Sequence, residues 1–165
     1  MSKITLKGTP VNTSGSLPKT GTNAPDFTLV NSDLSQLSLN EVKGKKVILN
    51  ISPSLDTGVC ATSVRKFNKE AAAKDNCIVF AITKDLPFAM GRFCSTEGIE
   101  NVTPLSAFRD HSFGKNYGVE IMDGPMAGLL ARSIVVIDED GKVIYTELVS
   151  EIVNEPDYKS ALAKI

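Results

Sequence analysis

Apolar positions along the chain are grouped so as to predict an α/β arrangement. Val47-Ile48-Leu49-Asn50-Ile51 and Cys77-Ile78-Val79-Phe80-Ala81-Ile82 are almost unbroken apolar runs, the pattern of strands covered on both faces. Between them Cys60, Val64, Phe67 and Ala71 are spaced four, three and four apart on one stripe, with Arg65, Lys66, Asn68 and Lys69 off it, which predicts an amphipathic helix. Strand, helix and strand in that order make a right-handed crossover unit. Ile4-Thr5-Leu6 and Phe27-Thr28-Leu29-Val30 read as short strands, with Pro18, Gly21 and Pro25 punctuating the segment between them. A second helix opens after Asp85, read as its cap, carries Pro87 in its first turn and runs to about Thr96 before Gly98 stops it. Cys94 lies near the C-terminal end of that helix. Ser133 to Asp138 and Lys142 to Thr146 flank Asp140-Gly141, a strong hairpin signal, and so predict two antiparallel strands. Pro156 starts a short terminal helix over Asp157 to Lys164. The elements assemble as one domain over residues 1–165, a mixed sheet with helices on its faces.

Composition narrows the function classes without choosing one. A chain of 165 residues with 42% hydrophobic side chains buries a substantial core. Lys and Arg total 18 against 19 Asp and Glu, and neither sign forms blocks, so no nucleic-acid partner is expected. No apolar run has the length of a signal peptide or a membrane span, so the expectations are no membrane partner and a cytoplasmic location. Three cysteines make no disulfide framework; in a reducing compartment they are thiols at rest unless catalytic or redox-sensing. No cofactor and no metal are expected.

One cysteine stands where sulfur chemistry is favoured. In Pro53-Ser54-Leu55-Asp56-Thr57-Gly58-Val59-Cys60 the loop leaves a core strand and enters the helix. If the helix begins after Thr57, that residue is the N-cap and Cys60 is the third helical residue. Backbone N–H groups there lack intrahelical partners and the macrodipole is positive, an environment that favours a thiolate. Gly58 removes side-chain bulk from the approach, and Pro53 stiffens the loop and restricts Ser52 to an extended conformation. Against this, Cys60 also fits the buried stripe of the helix as a small apolar residue, the commonest use of a free cysteine. Spacing alone leaves both readings open.

Pro53, Thr57 and Cys60 form a Pro-x-x-x-Thr-x-x-Cys sequence directly after a core strand, which resembles the active-site signature of the peroxiredoxins. The stretch from Asn50 to Asn68, together with Asp85-Leu86-Pro87-Phe88-Ala89, Arg92-Phe93-Cys94, Asp123-Gly124-Pro125 and Glu155-Pro156-Asp157-Tyr158, is similar to the bacterial thiol peroxidases, an atypical two-cysteine branch, over effectively the whole chain. The resemblance implies a thioredoxin-like fold with a central mixed sheet and an N-terminal β-hairpin, a homodimer, and reduction of hydrogen peroxide and organic hydroperoxides with electrons from thioredoxin. Carried onto this chain, it implies that Cys60 is the peroxidatic cysteine and Cys94 the resolving one, joined in an intramolecular disulfide. Thr57 would supply a hydroxyl to the peroxide and thiolate, Pro53 would shield the sulfenate, and Arg132 would be the active-site arginine.

Other candidates read as structural. Cys77 opens a buried strand and has no partner at redox-motif spacing. His111, the only histidine, would make a Cys60–His111 hydrolase pair, but peroxide reduction needs no such base. Met90, Met122, Met126, Phe88 and Phe93 are candidates for an apolar entrance, and core packing accounts for such residues equally well. A general thiol–disulfide oxidoreductase is disfavoured by the lack of Cys-x-x-Cys. A noncatalytic interaction domain on the same scaffold is the third class of reading.

Overall fold

The structure is a computed structural model describing residues 1–71 and 73–165. In chain order its elements are β1 (Lys3–Leu6), β2 (Thr9–Asn12), β3 (Thr28–Val30), β4 (Gln36–Ser38), β5 (Lys46–Ile51), α1 (Gly58–Ala71), β6 (Cys77–Thr83), α2 (Pro87–Glu97), β7 (Val102–Ser106), α3 (Phe113–Asn116), β8 (Ser133–Ile137), β9 (Val143–Leu148) and α4 (Tyr158–Leu162). β1 and β2 pair as an antiparallel hairpin, and the other seven strands form one mixed sheet in the order β4-β3-β7-β6-β5-β8-β9. The two apolar runs lie side by side at its centre as the parallel pair β5 and β6, with Val47 opposite Ile78 and Ile51 opposite Ile82. β8 borders β5 antiparallel, then turns through Glu139-Asp140-Gly141 into β9, where Gly141 takes a φ of +82°.

Alternation along the central strands divides the core in two. Val47, Leu49, Ile51, Phe80, Ile82, Val135 and Ile137 face Ile4 and Val11 of the hairpin, Phe113 of α3 and the segment from Tyr117 to Ala131. Ile48, Val79, Ala81, Ile134 and Val136 face α1, α2 and α4 through Val64, Phe67, Met90, Tyr158 and Ala161. Arg132 is two residues before Ile134 and so belongs to the helix-covered side. Asn50, 1% exposed on that side, accepts a hydrogen bond from the Ser63 hydroxyl at 3.2 Å and ties α1 to β5.

Three elements depart from the sequence pattern. β7 holds Pro104 in mid-strand, which the rule for internal strands disallows. It is tolerated because β7 pairs with β3 only at Val30 and Ser106, so that one side of Pro104 is almost an edge. Gln36–Ser38 is too short to show a period. The terminal helix is Tyr158–Leu162, shorter than the predicted span, with the Asp157 carboxylate capping it by accepting from the Ser160 N–H at 3.0 Å.

Candidate active site

Cys60 sits where the sequence places it. The Thr57 carbonyl accepts from the Ala61 N–H at 2.9 Å and its hydroxyl accepts from the Cys60 N–H at 3.4 Å, so Thr57 is the N-cap and Cys60 the third residue of α1. The preceding loop is anchored to the sheet by the Ser52 N–H, which donates to the Ile82 carbonyl at 3.0 Å, and by the buried Pro53 and Leu55. The Thr57 hydroxyl in turn donates to the Ser54 carbonyl at 3.4 Å. Asp56, Thr57 and Gly58 are exposed, and a Cβ on Gly58 would meet no atom within 4 Å, so the first turn is open on its outer side.

The sulfur has a guanidinium for a partner. Arg132, 2% exposed, donates from Nη2 to Cys60 Sγ at 3.2 Å and from Nε to the Ile152 carbonyl at 2.9 Å. Among the described residues no carboxylate pairs with Arg132, so the sulfur occupies the position that an acid usually takes beside a buried arginine. The third guanidinium nitrogen, Nη1, is buried without a partner among the described residues. A buried N–H without a protein partner is costly, so this nitrogen is available to an acceptor brought in beside the sulfur. Cys60 itself has no exposed surface, so the sulfur is in contact with the guanidinium and out of contact with solvent.

Asp85 does something other than what its place before Pro87 predicts. α2 begins at Pro87 with Leu86 at the cap position and no side-chain capping bond. The Asp85 carboxylate is committed to the active-site loop, accepting from the Ser54 hydroxyl at 2.8 Å, the Leu55 N–H at 2.7 Å and the Thr83 hydroxyl at 2.8 Å. The Ser106 hydroxyl donates to the Asp85 carbonyl. The loop that carries Thr57 and the helix that carries Cys94 thus hang from one residue. These tertiary donors competed with the N–H groups of the helix end for the carboxylate and won.

Cys94 is not joined to Cys60; all three cysteines are free. It lies half-buried on α2 beside Phe93, and burial pushes its thiol up to about 11, which suppresses its nucleophilic form while α2 is closed. The C-terminal end of α2 is clamped to α1. Arg65 makes a two-point ion pair with Glu97, Nε to Oε2 at 2.8 Å and Nη2 to Oε1 at 3.0 Å. The Asn68 side-chain oxygen accepts from the Glu100 and Asn101 N–H groups at 3.0 and 2.7 Å, and Gly98, at φ +64°, closes the helix onto the Cys94 carbonyl. Exposed pairs of this kind contribute about 0.2–1 kcal/mol. Glu97→Gln should therefore speed iodoacetamide labelling of Cys94 by up to about fivefold, while an unchanged rate would show that the pair does not restrain the helix. Because the Cys94 thiol is raised when buried, its contribution to keeping α2 packed is fully present below the ordinary thiol range and is lost as pH rises toward about 11.

The remaining candidates separate. His111 is exposed in the loop after β7, among Arg109, Asp110, Ser112 and Lys115, and the hydrogen-bond partner of the Cys60 sulfur is an arginine, which leaves a hydrolase pair without support. Cys77 is half-buried at the start of β6 and its thiol is raised by burial against the opposing pull of Lys46 and Lys74. The suggested apolar entrance is dispersed. Met90 is core at 1% exposure and Met126 packs on the opposite core, while Phe93 lines a groove with Ser54, Leu55, Asp56, Asp85 and Arg92.

Comparison with known proteins gives the family. Residues 19–162 match the family model described as Redoxin. The chain is 56% identical to a thiol peroxidase of Corynebacterium glutamicum over 100% of its own length and 99% of that protein, and 59% identical to a thiol peroxidase of Mycobacterium tuberculosis with the same coverage. The crystal structure of a peroxiredoxin-like protein from Aquifex aeolicus superposes with a TM-score of 0.94 at 40% identity, covering 99% of this chain and 95% of that one. A thiol peroxidase from Chromobacterium violaceum shares the fold at a TM-score of 0.89 and 22% identity, over 96% of this chain and 91% of that one. The fold is the thioredoxin-like α/β architecture of the peroxiredoxins, and the chain belongs to the redoxin family and, within it, to the thiol peroxidases.

Proposed function

We propose that this peroxidase reduces hydrogen peroxide and organic hydroperoxides at Cys60, resolves the product with Cys94 and is recycled by thioredoxin. The observation that carries the reading is the pairing of Arg132 Nη2 with Cys60 Sγ at 3.2 Å, with Nη1 left free. The Cys60 thiolate attacks the terminal peroxide oxygen; an S–O bond forms, the O–O bond breaks, and the leaving oxygen departs as alkoxide or hydroxide and takes a proton. Arg132 Nη1 is the free donor that polarises the O–O bond and meets the developing charge, and the Thr57 hydroxyl joins it by turning its proton from the Ser54 carbonyl to the peroxide. Pro53, without an N–H, shields the sulfenate from a second peroxide. Access requires a small opening of the first turn, where Asp56, Thr57 and Gly58 face solvent.

Resolution follows from chemistry and placement together. The Cys94 thiol displaces hydroxide from the Cys60 sulfenic acid, forming an S–S bond and releasing water, and a thioredoxin dithiol then reduces the disulfide. Two cysteines join only when their Cα atoms approach within about 7 Å, so one helix end unwinds first, and the end of α2 held by Arg65 and Asn68 is the end that frays. The protein acts as a homodimer in the cytoplasm. The dimer is supported by exposed large apolar side chains, Leu86, Phe88 and Phe108 at 54%, 68% and 37%, which a second copy would cover. Among the described residues no helix is long and apolar enough to cross a membrane.

Counting free thiols tests the reading. One equivalent of hydroperoxide should remove two of the three thiols, Cys60 and Cys94, and thioredoxin with its reductase should restore both. Loss of a single thiol that thioredoxin cannot restore would refute the two-cysteine cycle.

A further inference from the structure

The Arg132 guanidinium has one fixed protein acceptor besides the sulfur, the Ile152 carbonyl on Nε at 2.9 Å. Its tilt toward Cys60 is therefore set by where that carbonyl sits. Ile152 lies past the end of β9, in a stretch of turns and bends that precedes α4. The strand ladder ends before Ile152, so its carbonyl is fixed by the burial of its own side chain, 3% exposed in the core, and by whatever its backbone bonds to.

Those backbone bonds run to the N-terminal hairpin. The Thr5 N–H donates to the Ser150 carbonyl at 2.7 Å and the Ile152 N–H to the Thr5 carbonyl at 2.9 Å, a short parallel bridge across most of the sequence. Between those bonds the Glu151 carboxylate accepts from the Thr5 hydroxyl at 2.7 Å, the Lys7 N–H at 2.9 Å and the Gly8 N–H at 3.0 Å. Lys7 and Gly8 form the hairpin turn with φ of +50° and +81°, and two successive left-handed residues of this kind aim both N–H groups into one anion-holding concavity. Lys7 pays a steric cost to be there, which the carboxylate offsets. The Glu151 carboxyl is accordingly held down to about 2, first by the Gly8 N–H and next by the Thr5 hydroxyl. The hairpin is a firm base for this tether. Ile4 and Val11 are each 2% exposed, and Asn12 grips Asp123 through its N–H at 2.8 Å and its amide at 2.7 Å.

We propose that Glu151 is a positioning residue for peroxide reduction: it bolts the segment from Ser150 to Ile152 onto the hairpin turn, so that the Ile152 carbonyl aims Arg132 at the Cys60 sulfur. The inference rests on the reading of Arg132 as catalytic. Its consequence is that the hairpin, remote from Cys60 in sequence, sets the rate of the first chemical step.

The test compares Glu151→Ala and Glu151→Gln with the parent protein and with Arg132→Ala. Three quantities are read for each: the single-turnover rate with hydrogen peroxide, the rate of Cys60 labelling by iodoacetamide, and the melting temperature. Small displacements of a positioned catalytic group cost up to about 10²-fold, so Glu151→Ala should slow peroxide reduction about tenfold. Labelling should fall by less than about threefold, because alkylation does not require polarised oxygen. Glutamine keeps an acceptor oxygen for the turn and should lie between alanine and the parent. A peroxide rate within about twofold of the parent overturns the proposal, and so does a fall of both rates by one common factor, which would mean general loosening. If alanine prevents folding, Glu151→Gln and Thr5→Val carry the same comparison. A parental peroxide rate in Arg132→Ala would instead overturn the catalytic reading of the arginine, whatever the Glu151 variants do.

Discussion

Arg132→Ala should slow the reaction of Cys60 with hydrogen peroxide by about 10²–10³, the usual cost of removing one donor from a preorganised oxyanion site. Ionising the sulfur cannot account for a fall of that size. A thiol of ordinary acidity is about 3% ionised at pH 7, so complete ionisation gains about thirtyfold, and the weaker nucleophile that results gives back about tenfold at a Brønsted slope of ~0.45. What remains is a few-fold gain. On the proposed mechanism the larger share comes from the free Nη1 acting on the O–O bond, joined by the Thr57 hydroxyl when it turns from the Ser54 carbonyl. Arg132→Lys should recover little, because a point charge cannot keep the Ile152 carbonyl, the sulfur and the incoming oxygen in one planar fork. Stopped-flow measurement of the first turnover, beside iodoacetamide labelling of Cys60, separates the two contributions. Equal losses in both rates would refute this division of labour.

Cys94→Ser should complete about one turnover and then stop. The first step needs only Cys60, so one equivalent of peroxide is consumed at the parental rate and the sulfenic acid accumulates. Dimedone should trap it, and mass spectrometry should find one added oxygen on the Cys60 peptide. With no partner sulfur the oxidised centre stays open to excess peroxide and climbs to the sulfinic acid, which thioredoxin does not reverse. Sustained thioredoxin-dependent turnover by this variant would exclude Cys94 as the resolver. Combined with Glu97→Gln, the parent and Cys94→Ser proteins also show which step the clamp governs: a looser α2 should hasten disulfide formation and leave the first turnover alone.

The central sheet and the cysteine-bearing helix were legible because their signals are local. Val47 to Ile51 and Cys77 to Ile82 are long enough to show unbroken burial, the stripe from Cys60 to Ala71 has a helical period, and Asp140-Gly141 admits few conformations other than a turn. β7 was not legible, since Pro104 argues against a strand unless it is known that β3 leaves that flank nearly bare. Asp85 misled for a related reason: an acid just ahead of a proline-bearing helix has a capping signature, and only the folded chain reveals that Ser54, Leu55 and Thr83 claim its carboxylate. Arg132 entered through family resemblance alone, because an arginine opening an apolar strand has no periodicity that marks it. The Ile152 carbonyl that holds it is a backbone atom, which no choice of residue announces. Arg65 and Glu97 are 32 positions apart, too far for any helical spacing rule to pair them.

The complete enclosure of Cys60 has a chemical meaning for a cell that holds many electrophiles. Quinones, aldehydes and soft metal ions all consume open thiolates, and each is wider or more heavily hydrated than a terminal peroxide oxygen. A sulfur beneath the first turn of a helix is reached fastest by oxidants slim enough to slip past that turn. Bulkier electrophiles need a wider opening of that turn and are thereby slowed relative to peroxide.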